Sequence, residues 1–250
     1  MVASVKEHYD SHLAPLYTWI SGGAEAPRQR FADFLKTHHL LPSEPGAVAL
    51  DLGAGSGFQS LPLAAAGYAV TAIDLSQVLL AELARDAADA GLAICTVVGD
   101  LREVTAHAAK TSPTLIVCLG DTLTHLTSTD DVATLLRDAA SALAPGGHLV
   151  LTFRDYTEAR IGADRFIPVR SEDNRIFTCF LDYGPTHVTV HDLVHSREGA
   201  SWRQTVSAYK KLRLSADFVR EHILGADLNL IRDDRTTGLV TFIAQRALTI

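Results

Sequence analysis

The chain has 250 residues, of which 47% are hydrophobic and 20% charged, enough for one α/β domain with a sizeable core or that domain plus a small insertion. Lys and Arg total 22 against 29 Asp and Glu, a net charge of −7, and no basic block occurs. Nucleic-acid binding, which needs a basic stripe to replace counterions, is therefore disfavoured, and a small molecule is the expected partner.

The first 45 residues read as a cap of two short helices with loops. No signal peptide is expected within them, because His, Asp and Pro interrupt the apolar residues of MVASVKEHYDSHLAPLYTWI. From 47 to 155, short β-branched runs alternate with Ala- and Leu-rich amphipathic stretches. The runs are AVALDLG (47–53), AVTAID (69–74), ICTVVGD (94–100), TLIVCLG (114–120) and HLVLTFRD (148–155). Strands that read as continuous apolar runs are buried on both faces, and helical crossovers between them imply parallel pairing, hence a doubly wound α/β sheet. Its ligand belongs at the carboxyl ends of the strands. Ser76 is placed to cap the second of these helices and Gly91 to end it, while Asp130 or Asp131 opens the helix that Pro145-Gly146-Gly147 closes.

Beyond residue 160 the period changes to two. RIFTCFLDYG, HVTVHDLVHS and SWRQTVSAYKKLRLS, separated by turn signals, form an antiparallel insertion over 161–214, suited to a lid or a subunit contact. A last helix at 215–226 and the strands LNLIRDD and GLVTFIAQR complete the core over 215–250, leaving 46–160 as its main ligand-binding part. No segment approaches the ~18–20 apolar residues of a membrane span, so no membrane association is expected.

Cys95, Cys118 and Cys179 lack zinc-site or disulfide spacing and read as reduced core thiols of a cytoplasmic protein. His187, His191 and His195 lie on one strand, successive pairs about 13 Å apart at ~3.3 Å per residue, too far for one ion. No metal is expected.

The strongest local signal is ALDLGAGSGFQS (49–60), a buried strand running through Gly53, Gly55 and Gly57 into a helix. Glycines let a backbone approach a ligand closely, and a helix N-terminus offers free amides. The dinucleotide fingerprint G-x-G-x-x-G would need glycine where Phe58 stands, which weakens a nicotinamide-dependent oxidoreductase reading.

Asp51 beside GxGxG resembles motif I of the class I S-adenosylmethionine-dependent methyltransferases, and acidic ends at the next two strands, Asp74 and Asp100, extend the match. The resemblance covers 47–155 and implies the seven-stranded, Rossmann-like sheet of that family, with S-adenosylmethionine as cofactor. It assigns the cofactor to Asp51, Gly53, Gly55, Asp74 on the ribose hydroxyls with Leu75 beside it, and Asp100 on the adenine amine with Leu101 behind it. CLGDTLTHL (118–126) and LTFRDY (151–156) further resemble stretches of the glycine and the glycine/sarcosine N-methyltransferases. Carried over, Leu119 and His125 contact the methionine part of the cofactor, Arg28 (or its rival Arg30) clasps the cofactor carboxylate, and Arg154 holds a substrate carboxylate.

Asp121 faces the substrate where those relatives carry Asn. An ionised Asp121 would favour an amine-bearing acceptor and could take its proton. Tyr9, Tyr17 and Trp19 are candidates to close the pocket, with Tyr156 and Tyr183 as further ones. These residues support methyl transfer to the nitrogen of a small molecule, with Asp121, Arg154 and His125 nearest the chemistry. An oxygen or sulfur acceptor, and a cofactor-binding protein without turnover, are the alternatives, and the sequence is compatible with a homo-oligomer.

Overall fold

The computed structural model describes residues 2–109, 111–236 and 238–248. Two sheets are present. The larger has seven strands in the order β3-β2-β1-β4-β5-β11-β10, comprising β1 (Val48–Leu52), β2 (Ala69–Asp74), β3 (Ile94–Val98), β4 (Leu115–Cys118), β5 (His148–Phe153), β10 (Leu228–Asp234) and β11 (Val240–Arg246). All its pairings are parallel except those of β11 with β5 and β10. The strand order reverses between β1 and β4, and the crevice outside their carboxyl ends is where such sheets bind ligands.

Helices cover both faces, which is why these strands are continuously apolar. On one face lie α3 (Glu25–Thr37), α4 (Ser60–Ala65) and α5 (Gln77–Asp89), burying Phe31, Leu35, Leu63 and Leu83. On the other, α6 (Val104–Ala108), α7 (Thr129–Ala142) and α8 (Ala216–Gly225) pack around Leu136, Val219, Phe153 and Phe242. Ser76 caps α5 as anticipated, its hydroxyl accepting from Leu79 N at 3.3 Å. The cap of α7 is Ser128, not Asp130 or Asp131: its hydroxyl accepts from Asp131 N at 3.1 Å, so Asp131 occupies the third position of the first turn.

The smaller sheet is an antiparallel meander of four strands, β6 (Phe166–Glu172), β7 (Arg175–Tyr183), β8 (His187–Glu198) and β9 (Ser201–Leu212), one more than the three alternating runs suggested. Along β8 every second residue from Val188 to Val194 is buried, which puts Asp192 on the inward face and the three histidines on the other. His187 Nε2 lies 3.2 Å from Thr127 O, and no metal-ligand cluster exists among the described residues.

Residues 5–20 form a chain of short helical turns, α1 (Val5–His8) through α2 (Tyr17–Ile20), rather than one regular helix. This strap runs between the two sheets. Ala3 N donates to Ala208 O on β9 at 2.8 Å, and Thr18 Oγ1 donates to Glu82 on α5 at 2.5 Å. No helix among the described residues is long and apolar enough to cross a membrane.

Phe242 is fully buried against Phe153, ring centroids 6.1 Å apart, where the parallel strands meet β11. Phe242→Ala is expected to lower the unfolding free energy by about 3–5 kcal/mol in urea denaturation, the cost of an aromatic-sized core cavity.

Candidate active site

Two neighbouring cavities open at the carboxyl ends of the central strands. The first, of about 70 Å3, is lined by Gly53 and Gly55 after β1, Asp74 and Leu75 after β2, Leu101 after β3 and His125 after β4. Gly53 has φ +80°, and a Cβ there would stand 2.3 Å from Thr122 Cγ2, so only glycine allows the loops after β1 and β4 to meet. Gly57, at φ +84°, lets the same loop approach Leu83 of α5, which a Cβ would strike at 2.3 Å.

Asp74 anchors this cavity. Its Oδ2 accepts from Gly55 N and its Oδ1 from Ser76 N, both at 2.8 Å, and burial raises its carboxyl above the ordinary aspartate range. Each oxygen keeps a further lone pair, as a vicinal diol requires. Asp51 lies beneath the loop, fully buried, accepting from Ser60 Oγ at 2.6 Å, and is pushed up to about 7 by that burial. It supports the glycine loop from below and lines neither cavity.

His125 is buried on the wall of the first cavity. Its Nε2 lies 3.2 Å from Tyr9 Oη, and its Nδ1 has no partner among the described residues, as a group awaiting a ligand's polar atom would. Burial, with the Lys211 cation nearby, pushes its imidazole down to about 3, so the ring is neutral.

The second cavity, of about 390 Å3, lies between the ends of β4 and β5, the strap and the inward face of the small sheet. Tyr9 and Tyr17 line both cavities and form their partition. Burial raises both phenols, Tyr17 to about 12, so each is a neutral hydroxyl at physiological pH.

Asp121, on this second wall, is not the free carboxylate that its position suggested. Its Oδ1 accepts from Arg154 N at 2.9 Å; its Oδ2 accepts from Tyr156 Oη at 2.8 Å and Arg154 Nη1 at 3.2 Å, and pairs with Lys211 Nζ. The two cations hold its carboxyl below the usual range against the burial that opposes ionisation. Arg154, the anticipated carboxylate clamp, thus gives part of its guanidinium to Asp121.

Other anticipated residues stand elsewhere. Arg28 pairs with Asp86 of α5 and lines neither cavity, and its rival Arg30 is exposed. Asp100 pairs with Arg102 at 2.6 Å and lines a cavity of about 370 Å3 that adjoins the first and shares Leu75, Leu101 and His125 with it. Leu119 packs against the core under the sheet. Trp19 points away, between the guanidiniums of Arg170 and Arg175 at 5.5 and 5.2 Å, while Tyr17 and Tyr156 do line the second cavity. Tyr183 packs beside Tyr156 without lining it. Of the thiols, Cys118 is a core residue, Cys95 is exposed, and Cys179 lines the second cavity and donates to Asp192 Oδ1 at 3.0 Å.

Four site residues escaped sequence reasoning. His8 is fully buried, its Nε2 donating to Asp192 Oδ2 at 2.9 Å and its Nδ1 lying 2.7 Å from Ser207 Oγ, while its ring stacks on Tyr209 at 4.0 Å. Asp192 was detectable as a charged residue on the otherwise apolar inward face of β8, whereas Lys211 shares its face of β9 with Thr205, Ser207 and Tyr209 and gave no such signal. Nor did His8 or Tyr209.

Residues 49–147 match the family described as methyltransferase domain. A glycine/sarcosine N-methyltransferase of Aphanothece halophytica is 35% identical over 107 residues, 43% of this chain and 40% of that protein. A ubiquinone biosynthesis O-methyltransferase of Caulobacter sp. strain K31 is 32% identical over 136 residues, 51% of this chain and 52% of its own. The chain thus spans about half or less of the length of these two relatives. Among solved structures, a S-adenosylmethionine-dependent methyltransferase from Clostridium acetobutylicum superposes with a TM-score of 0.74 at 16% identity, over 88% of this chain and 92% of that one, a likeness of fold.

Because Asp51 releases its proton at a higher pH when folded than when unfolded, the stabilisation present at acid pH is lost as pH rises toward 7. Asp51→Asn keeps an acceptor for Ser60 and removes the titration. It is expected to gain stability over the parent by about 1–3 kcal/mol between pH 5 and pH 8, read from denaturation curves at the two values.

Proposed function

Residues 49–147 are a class I S-adenosylmethionine-dependent methyltransferase domain, and on that premise we propose that the chain transfers a methyl group to the nitrogen of a small-molecule acceptor in the cytoplasm. The observation that carries this reading is the pair of adjoining cavities with Tyr9 and Tyr17 as their common wall. One is built from the strand ends that match the cofactor motifs, the other from Asp121, Arg154 and the small sheet.

The residues present fit the cofactor. Gly53 and Gly55 would admit it against the backbone, Asp74 would accept from the ribose diol, Leu75 and Leu101 would bracket the adenine, and the unpaired His125 Nδ1 would meet a polar atom of its methionine part. At about 70 Å3 the first cavity alone is far smaller than the ~300 Å3 or more of a small-molecule site, and the adjoining cavity of about 370 Å3, which shares Leu75, Leu101 and His125 with it and is lined by Asp100, would take the rest of the cofactor. When bound, S-adenosylmethionine supplies a methyl group on a positively charged sulfur that is already a good leaving group.

The chain's own work is then placement and exclusion of water. A neutral His125 adds no positive charge beside a sulfonium. Asp121, held ionised by Lys211 and Arg154, orients those two residues and Tyr156, and a carboxyl held below the usual range is a poor proton acceptor even though its Oδ1 accepts only from Arg154 N. None is needed for nitrogen: Lys211 and Arg154 disfavour an ammonium ion near them, so an amine binds as its neutral form with the lone pair free. An oxygen acceptor, the chemistry named for the Caulobacter relative, would have to shed a proton, and the engagement of Asp121 supports nitrogen instead.

Calorimetric titration with S-adenosylhomocysteine is expected to show one site per chain, weakened about 10- to 100-fold in Asp74→Ala, the loss of charge-assisted hydrogen bonds. Absence of binding to the parent would remove the cofactor assignment. Mass spectrometry after incubation with S-adenosylmethionine and a panel of amines, alcohols and thiols should find the added methyl on nitrogen. Methylation confined to oxygen or sulfur would overturn the acceptor atom, and binding without turnover would leave a cofactor-binding protein.

A further inference from the structure

The second cavity has a size and a charge pattern that select among amines. At about 390 Å3 it falls within the ~300–1,000 Å3 of sites that enclose drug-sized ligands, well beyond what glycine fills. Apolar side chains form much of its wall: Leu13 and Ile20 from the strap, and Ile167, Phe177 and Val190 from the small sheet.

The charged groups on this wall are Arg154, Arg160 and Lys211 against Asp121 and Asp192, so cations exceed carboxylates by one. Asp192 is held by the His8 ring and the Cys179 thiol. Asp121 and Lys211, both side chains 8% exposed, are paired with each other. Arg154 commits one guanidinium nitrogen to Asp121, and its side chain is 56% exposed. Arg160 has no hydrogen-bond or ion-pair partner among the described residues and stands exposed at the rim. The loop that carries both arginines is pinned at its base, where Asp155 Oδ2 accepts from Ala216 N at 2.8 Å and Arg213 Nε donates to Tyr156 O at 3.0 Å. A chain with net charge −7 therefore keeps a local excess of positive charge at the mouth of an apolar chamber.

We propose that the acceptor is an amine that bears a bulky apolar group and one free carboxylate. Arg160 and the uncommitted edge of Arg154 hold the carboxylate at the mouth, and the apolar group lies between the strap and the small sheet. One excess cation matches a monoanion; a phosphate dianion would leave charge unbalanced. A peptide α-amine, whose adjoining carboxyl is an amide, would leave Arg160 unpaired. This deepens the nitrogen-acceptor reading above and rests on it.

The test is calorimetric titration of the whole protein, with and without saturating S-adenosylhomocysteine, using L-phenylalanine, L-phenylalaninamide, L-leucine, L-leucinamide and glycine as probes. The amides stand for a peptide N-terminus. At least one apolar amino acid is expected to bind about 10- to 100-fold more tightly than its own amide, as charge-assisted hydrogen bonds to a carboxylate provide, and more tightly than glycine. Arg160→Gln should erase most of the preference for acid over amide while leaving S-adenosylhomocysteine affinity unchanged. Acid and amide binding alike, glycine matching the larger acids, no acid binding at millimolar concentration, or a preference that survives Arg160→Gln would each overturn the proposal. Failure of S-adenosylhomocysteine to bind would instead strike the methyltransferase reading, which the acid–amide comparison made without it does not address.

Discussion

The arrangement turns on one buried carboxylate. Asp121 leaves the end of β4 and is met by Lys211 from the small sheet and by Arg154 and Tyr156 from the segment after β5. A buried ion pair repays its desolvation only when its remaining acceptor positions are also satisfied, and here hydrogen bonds from a backbone amide and a phenol supply that. Because the partners come from different sheets, the contact fixes how the meander sits over the crevice. Loss of one partner would leave a charge stranded in the interior and loosen the chamber that the partners enclose.

The strap depends on that placement. His8 can dock only because the small sheet presents Asp192, Ser207 and Tyr209 in one patch, and the same helical turns then carry Tyr9 and Tyr17 to the partition between the cavities. On the side of the large sheet Ser76 Oγ donates to Asp10 Oδ1 at 2.6 Å, Thr18 Oγ1 donates to Glu82 of α5, and Tyr17 stacks on Phe58. A segment held by a few polar contacts over a small cavity can open locally at low cost compared with unfolding.

The electrostatics separate the two chambers by function. Around the first, Asp74 places a carboxyl on the wall, burial keeps the His125 ring neutral, and Lys6 at the edge is paired with Asp10. Around the second, cations predominate and the carboxylates are paired. A positively charged cofactor and an anionic acceptor would each find the wall that suits it, with neutral phenols between them.

The sheet and its ligand edge were legible from residues alone, since each β-branched run ends in glycine or an acid and each is followed by a helical period. Gly53, Gly55 and Asp74 followed from that, because a strand end and its loop are local. Local too is the reason Leu101 and His125, after β3 and β4, reach the wall of the first cavity while Asp51, within β1, lies beneath it. What sequence could not decide is who partners whom across sheets. Asp121 looked like a free base because Lys211, 90 residues away, had no reason to be paired with it; Arg28 looked like a cofactor ligand because nothing local disclosed Asp86 on α5. The sequence by itself determined the order of strands and helices and the chemistry at their ends, through hydrophobic period and turn residues. Only the tertiary structure decided the charge state and the commitments of the acceptor chamber, because burial and distant counter-charges, not the neighbouring residues in the chain, set whether a carboxylate is free to act.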